Sequence, residues 1–122
     1  LLSFGQKRLL AFMYYLDVNP DFVVADELVN GMHHSWIEAC VEAMKGRQVF
    51  LASQNPLLLD FLEFSSIEQV QRTFVRCQVD RSGEAEQILW GNFSDEAAAR
   101  FFESYKVGIQ HVNEILRTEG LW

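Results

Sequence analysis

This sequence has little of what punctuates or crosslinks a chain. Two prolines and seven glycines in 122 residues exclude collagen-like and linker-like classes. Two cysteines, Cys40 and Cys77, are far apart and lack metal-ligand spacing. Both are read as reduced, mostly buried thiols rather than a disulfide. Cations are scarce too: ten Lys and Arg against seventeen Asp and Glu leave a net charge of −7. That deficit argues against a surface that grips nucleic acid through phosphates, which needs clustered Lys and Arg. No apolar run approaches membrane-spanning length and no secretory-leader pattern stands at the start, so the expectation is a cytoplasmic protein with no membrane contact. Nor is there an initiator Met: the chain starts in mid-pattern at Leu1-Leu2, which predicts a fragment of a longer polypeptide. What is present, 49% hydrophobic and 22% charged residues, is the composition of one globular domain.

Ser3 followed by Gln6 has capping-box spacing, and Leu9, Leu10, Phe12, Met13 and Leu16 continue it with helical periodicity. A helix is predicted from about Phe4 to Leu16, ended by Asn19-Pro20. FVVADE (Phe22 to Glu27) is a short unbroken apolar run, the pattern of a parallel strand covered on both faces. Asn30-Gly31 makes a turn. A second helix is predicted roughly from His33 to Lys45, stopped by Gly46. Gln48 to Ser53 is a second buried strand, and Pro56 opens a short helix. Helix–strand–helix–strand–helix is a parallel α/β pattern. Further on, Val70 to Val79 alternates with period two, Asp80 to Gly83 turn, and Glu86 to Trp90 return as an antiparallel hairpin. From Ser94 one long helix is expected, its stripe of Ala98, Phe101, Phe102, Tyr105, Ile109, Val112 and Leu116 holding past Gly108 until Gly120.

Two places carry chemistry. The strand FVVADE ends in adjacent carboxylates, Asp26 and Glu27. Desolvating them is costly without compensation, and the carboxyl ends of parallel strands face the ligand crevice. Asp26 can hold Mg²⁺ and Glu27 can polarise a water; the plainer account is that the two acids cap the following turn. The start of the first helix offers unpaired N–H groups to an anion, with the Ser3 hydroxyl beside them and Gly5 permitting close approach. An ordinary capping box explains the same residues. Adjacent His33 and His34 point in different directions and do not make a two-His metal site. Lys7 and Arg8 read as a solvated helix face, and Phe101, Phe102 and Tyr105 as a core or interface stripe.

Taken in order, these segments resemble an ABC-type ATPase. LSFGQ (Leu2 to Gln6) is similar to the signature motif, FVVADE to Walker B, and Asn30-Gly31-Met32-His33 stands where the D-loop lies. QVFLAS leading into Gln54-Asn55-Pro56 resembles the switch region. The nearest branch is the AAA/ABC-type ATPases related to SMC, RecF and OLD proteins, and the specific motifs cover Leu1 to about Glu63. The resemblance implies the carboxy-terminal part of a P-loop NTPase, with residues 1–64 holding signature helix, Walker B and switch. Residues 65–122 would hold the hairpin and a long C-terminal helix of the same domain.

For the site, the resemblance implies ATP and Mg²⁺ as cofactors and a homodimer that sandwiches ATP between two heads. Ser3, Phe4, Gly5 and Gln6 would touch ATP held by the opposite subunit. Asp26 would hold Mg²⁺, Glu27 and Gln54 would act catalytically, and Asn30 to His33 would meet the partner. Two departures stand out. No G-x-x-x-x-G-K-[ST] occurs, so the Walker A lobe is expected upstream in the same protein. The switch position is Gln54 rather than His; an amide can donate to a γ-phosphate but cannot take up a positive charge. Any contact with DNA falls to other regions. The alternatives are a non-catalytic, ATPase-derived interaction or dimerisation domain, and an unrelated small α/β protein.

Overall fold

Ser3 opens the first helix, α1 (Phe4–Val18), with both halves of a capping box: its hydroxyl accepts from the Gln6 N–H at 3.2 Å, and the Gln6 side chain accepts from the Ser3 N–H at 2.8 Å. Caps of this kind contribute about 1 kcal/mol. In this computed structural model, which describes residues 1–122, the chain divides into two units, Leu1–Phe61 and Leu62–Trp122. No helix is long and apolar enough to cross a membrane.

In the first unit, α1 leads to strand β1 (Phe22–Asp26), helix α2 (His34–Met44), strand β2 (Gln48–Ala52) and a 3₁₀ helix at Pro56–Phe61. The strands pair in parallel, Phe22 opposite Gln48 through Asp26 opposite Ala52. A core forms where Phe12 and Leu16 of α1 and Ile37, Cys40 and Met44 of α2 meet Val23, with Leu28, Val29 and Leu58 closing it. Ile37 is fully buried; burial of such a side chain contributes roughly 1.5–3 kcal/mol. The expected cover on both sheet faces is not found. Val23, Val49 and Leu51 face the core, while Phe22, Val24 and Phe50 remain about half exposed on the other side. An all-apolar strand is compatible with a second layer but does not contain one; within this unit the core lies on the side of the sheet shared by α1, α2 and the 3₁₀ helix.

In the second unit, α3 (Ile67–Thr73) precedes strands β3 (Val75–Asp80) and β4 (Gln87–Asn92), then helices α4 (Asp95–Val107) and α5 (Val112–Thr118). The antiparallel hairpin forms, Val75 opposite Asn92 through Asp80 opposite Gln87. Its turn is pinned by the Ser82 N–H on the Asp80 carboxylate at 2.9 Å; the Ser82 side chain first, and its backbone N–H second, lower that carboxyl's pKa. The predicted alternation from Val70 is corrected: residues up to Thr73 are helical, because Ser66 caps α3 through the Gln69 N–H at 3.2 Å. Cys77 is exposed rather than buried. It shares the hairpin's outer face with Val75, Val79, Ile88 and Trp90, all exposed.

The single long helix is also corrected. Gly108 adopts φ 71°, its N–H bonds back to the Tyr105 carbonyl at 3.1 Å, and the chain restarts at α5 with His111 as cap. Ile109, placed by periodicity on the buried stripe, is exposed. Gly120 ends α5 as expected, in a Schellman motif: the Leu121 N–H bonds to the Leu116 carbonyl at 2.8 Å and Gly120 to Arg117 at 3.1 Å, with Leu121 tucked in. Of the aromatic stripe, Phe101 is core and Phe102 and Tyr105 are half-buried. Phe101 is fully buried and stands edge-on to Phe64 at 5.4 Å, a preferred geometry for ring pairs.

Candidate functional site

The tip of β1 carries the candidate site. Glu27 follows the last residue of the strand and still joins the ladder, its N–H donating to the Ala52 carbonyl at 2.8 Å. Its backbone then turns sharply, with φ 50°. A side-chain-bearing residue in this left-handed region costs roughly 1–2 kcal/mol, so surrounding contacts must hold it there. They are present. The Arg8 guanidinium donates to the Glu27 carbonyl and, at 3.4 Å, to that of Asp26. The Asn30 N–H also donates to the Glu27 carbonyl, at 3.3 Å.

The carboxylate of Glu27 is held as firmly. One oxygen accepts from the Gln54 backbone N–H at 2.9 Å, the other from the Asn30 amide at 2.6 Å. Glu27, Asn30, Gln54, Asn55 and Pro56 line an open cleft of about 490 Å³. The structure therefore brings together three residues singled out from sequence: Glu27, Asn30 and Gln54. Each carboxylate oxygen retains a further lone pair for a water or another donor. Gln54 uses its backbone here and leaves its side chain exposed. A Ser53–Asn55 turn, with the Asn55 N–H on the Ser53 hydroxyl at 3.0 Å, presents the Gln54 N–H.

Asp26 stands apart from this cluster. It is exposed, shares a sheet face with Val24 and Phe22, and is not among the residues lining the cleft. No group of three or more His, Cys, Asp or Glu side chains comes together in the chain. For Mg²⁺, which keeps several waters and phosphate oxygens in its shell, Asp26 supplies one hard oxygen ligand at the strand tip. It fits the ion in that limited role.

The residues resembling a signature motif surround the first turn of α1. Ser3 and Gln6 satisfy each other, leaving the N–H groups of Phe4 and Gly5 without helical partners. Gly5 is buried, and its missing side chain serves packing: a Cβ there would lie 2.5 Å from the Gly31 carbonyl oxygen and 3.0 Å from the Trp36 ring. Gly31 itself has φ 75° and faces the Phe4 ring, which a Cβ at Gly31 would approach to 3.2 Å. Met32 packs against the core and accepts from the Cys40 thiol at 3.9 Å. Burial pushes that thiol up to about 11. His33 caps α2, its Nδ1 accepting from the Ser35 N–H at 3.4 Å. The His34 ring lies tilted against that of Phe61, with centroids 4.7 Å apart.

Sequence reasoning missed Arg8. Read as part of a solvated face, it is half-buried and bonded to the strand tip, with the Phe4 ring 5.8 Å from its guanidinium carbon. The available signal was the i, i+4 pairing of Phe4 with Arg8 on the helix that also carries Gly5. In the second unit, a hollow of about 300 Å³ contains Arg76, whose guanidinium is committed to the Gly120 carbonyl at 3.0 Å.

No family model matches the chain, and no curated protein matches it.

Proposed function

We propose that this chain is the carboxy-terminal lobe of an ATP-binding, ATP-hydrolysing ABC-type ATPase, a P-loop NTPase that works as a head-to-head dimer. One observation carries the reading: Glu27, at the end of a parallel strand, presents its carboxylate in an open cleft beside Gln54. In this reading Glu27 orients the attacking water, and the Gln54 side chain donates to the γ-phosphate. Asp26 would be the residue to offer an oxygen to Mg²⁺, which when bound would neutralise phosphate charge. The free N–H groups at Phe4 and Gly5, beside Ser3 and Gln6, meet the nucleotide held by the partner, and Asn30 to His33 border that interface. A Walker A lobe elsewhere in the same protein cradles the phosphates.

The test uses the intact protein with that lobe. Glu27→Gln leaves ATP binding intact and abolishes turnover; turnover equal to wild type removes the catalytic role. The 122-residue chain alone lacks a phosphate cradle, so micromolar ATP binding in a calorimetric titration of this chain would contradict the reading.

A second reading, a non-catalytic interaction or dimerisation domain, has its own observation. Both Glu27 oxygens already accept hydrogen bonds from the chain, as in a clamp that closes the 27–30 turn. An intact protein that binds ATP and dimerises without hydrolysing it would favour this alternative.

A further inference from the structure

We propose that Arg8 is a positioning residue that couples the first turns of α1 to the Glu27 carboxylate, so that the helix end and the strand tip move as one piece. The proposal rests on the ATPase reading and assigns a regulatory link within that site.

Three contacts make the link. Arg8, in the second turn of α1, donates from one guanidinium nitrogen to the carbonyls of Glu27 and Asp26. The Phe4 ring, one turn earlier, lies beside that guanidinium at 5.8 Å and also abuts Gly31. Gly5 lies so close to the Gly31 carbonyl that no side chain fits between them. The same turn supplies Asn30, whose amide holds one Glu27 carboxylate oxygen at 2.6 Å. A displacement of the first turn of α1 is therefore passed to Glu27 by two routes: through Arg8 to its backbone, and through Gly31 and Asn30 to its carboxylate.

The Arg8 route acts on the softest point. Glu27 sits at φ 50°, a conformation that persists only while neighbouring groups hold it. Its carbonyl has two donors, Arg8 and the Asn30 N–H. Without the guanidinium, the Glu27–Leu28 peptide keeps only the longer of these bonds, and rotation about it swings the carboxylate away from Gln54. Both bonds leave from one guanidinium nitrogen, a role that an ammonium can take over as a point charge, but the planar group beside the Phe4 ring has no counterpart in lysine. Lysine should therefore restore the function only in part.

The experiment compares wild type, Arg8→Ala and Arg8→Lys in the intact protein, measuring kcat, KM for ATP and thermal midpoint together. The expected result for Arg8→Ala is a fall in kcat of about 10- to 100-fold, the scale of a catalytic group displaced by about 1 Å. KM and the thermal midpoint stay close to wild type, and Arg8→Lys recovers part of kcat. Should Arg8→Ala not fold, Arg8→Lys is read against wild type, with a partial loss of kcat at unchanged KM expected. Wild-type turnover with kcat retained in every folded variant overturns the coupling role alone. A loss of kcat matched by loss of thermal stability, with no recovery in Arg8→Lys, overturns it in favour of a purely structural arginine. Absence of ATP turnover by the wild-type protein overturns the underlying ATPase reading, and this proposal with it.

Discussion

Replacing Gly5 by alanine separates two explanations for that glycine. If its purpose is close approach of a phosphate, the substitution leaves the nucleotide-free chain unharmed. Stability should even rise by up to about 0.5–1 kcal/mol, the helix-propensity advantage of alanine, less in a first turn than in a helix interior. The packing around Gly5 predicts the reverse. The added Cβ would lie 2.5 Å from a backbone oxygen, that of Gly31, and 3.0 Å from the Trp36 ring. Neither obstacle is the far end of a flexible side chain. The carbonyl belongs to a turn with φ 75° at Gly31, and Trp36 sits beside the buried Ile37 on α2. Relief requires α1 to move off the turn, and overpacking of this kind costs typically 1–3 kcal/mol. With the propensity gain subtracted, the net destabilisation is about 1–2 kcal/mol, which for 60–100 cooperative residues lowers Tm by roughly 5–15 °C. Urea unfolding followed by Trp36 fluorescence, in a background carrying Trp90→Phe and Trp122→Phe, measures the first unit directly; both replaced residues are exposed. The midpoint should fall while the slope is kept. A midpoint equal to or above that of the parent refutes the packing argument.

Other consequences follow from the second unit and from the thiols. Gly108→Ala places a side chain at φ 71° with nothing within 4 Å of the new Cβ, so it loses about 1–2 kcal/mol through backbone strain alone, read as a lower thermal midpoint. If α4 and α5 were one continuous helix, alanine would instead stabilise it. Cys77 is exposed and Cys40 buried, so a thiol reagent at neutral pH should label Cys77 in the native chain and reach Cys40 only on unfolding. Burial raises the Cys40 thiol from 9.0 to about 11, meaning that the native state favours the protonated form. Its contribution to stability is complete below about pH 9 and is lost between about pH 9 and 11, as the unfolded thiol ionises first. Comparing urea midpoints of wild type and Cys40→Ala across that range should show the gap between them narrowing as pH rises.

Much of the local structure was legible in the residues themselves. Ser3 with Gln6, Pro56, Ser94 and Gly120 mark helix ends through short-range hydrogen bonds or fixed φ, and such signals act within a few residues. The hairpin turn at Asp80 to Gly83 is of the same kind. The misread segments lie where a pattern is degenerate. Eleven residues are close to three helical turns, so the stripe from Phe101 to Val112 keeps its phase whether or not the helix breaks at Gly108. The alternation from Val75 to Val79 could be extended back to Thr73 because one extra matching residue costs nothing in a period-two pattern. The Ser66–Gln69 cap decides otherwise, starting a helix that runs to Thr73.

By itself, the sequence determined that Asp26 and Glu27 end an apolar strand and that a capped helix with a glycine in its first turn precedes it. Tertiary structure decided what those residues touch. Glu27 meets Gln54 across 27 positions of chain and Arg8 across 19, contacts that depend on β1 pairing with β2 and on α1 packing beside the strand tip. No local pattern encodes such long-range contacts. The same reason explains why Arg8 looked like a surface residue and why the packing role of Gly5 does not show in the sequence: in each case the deciding neighbour is a backbone carbonyl, a group every residue carries and no sequence pattern distinguishes.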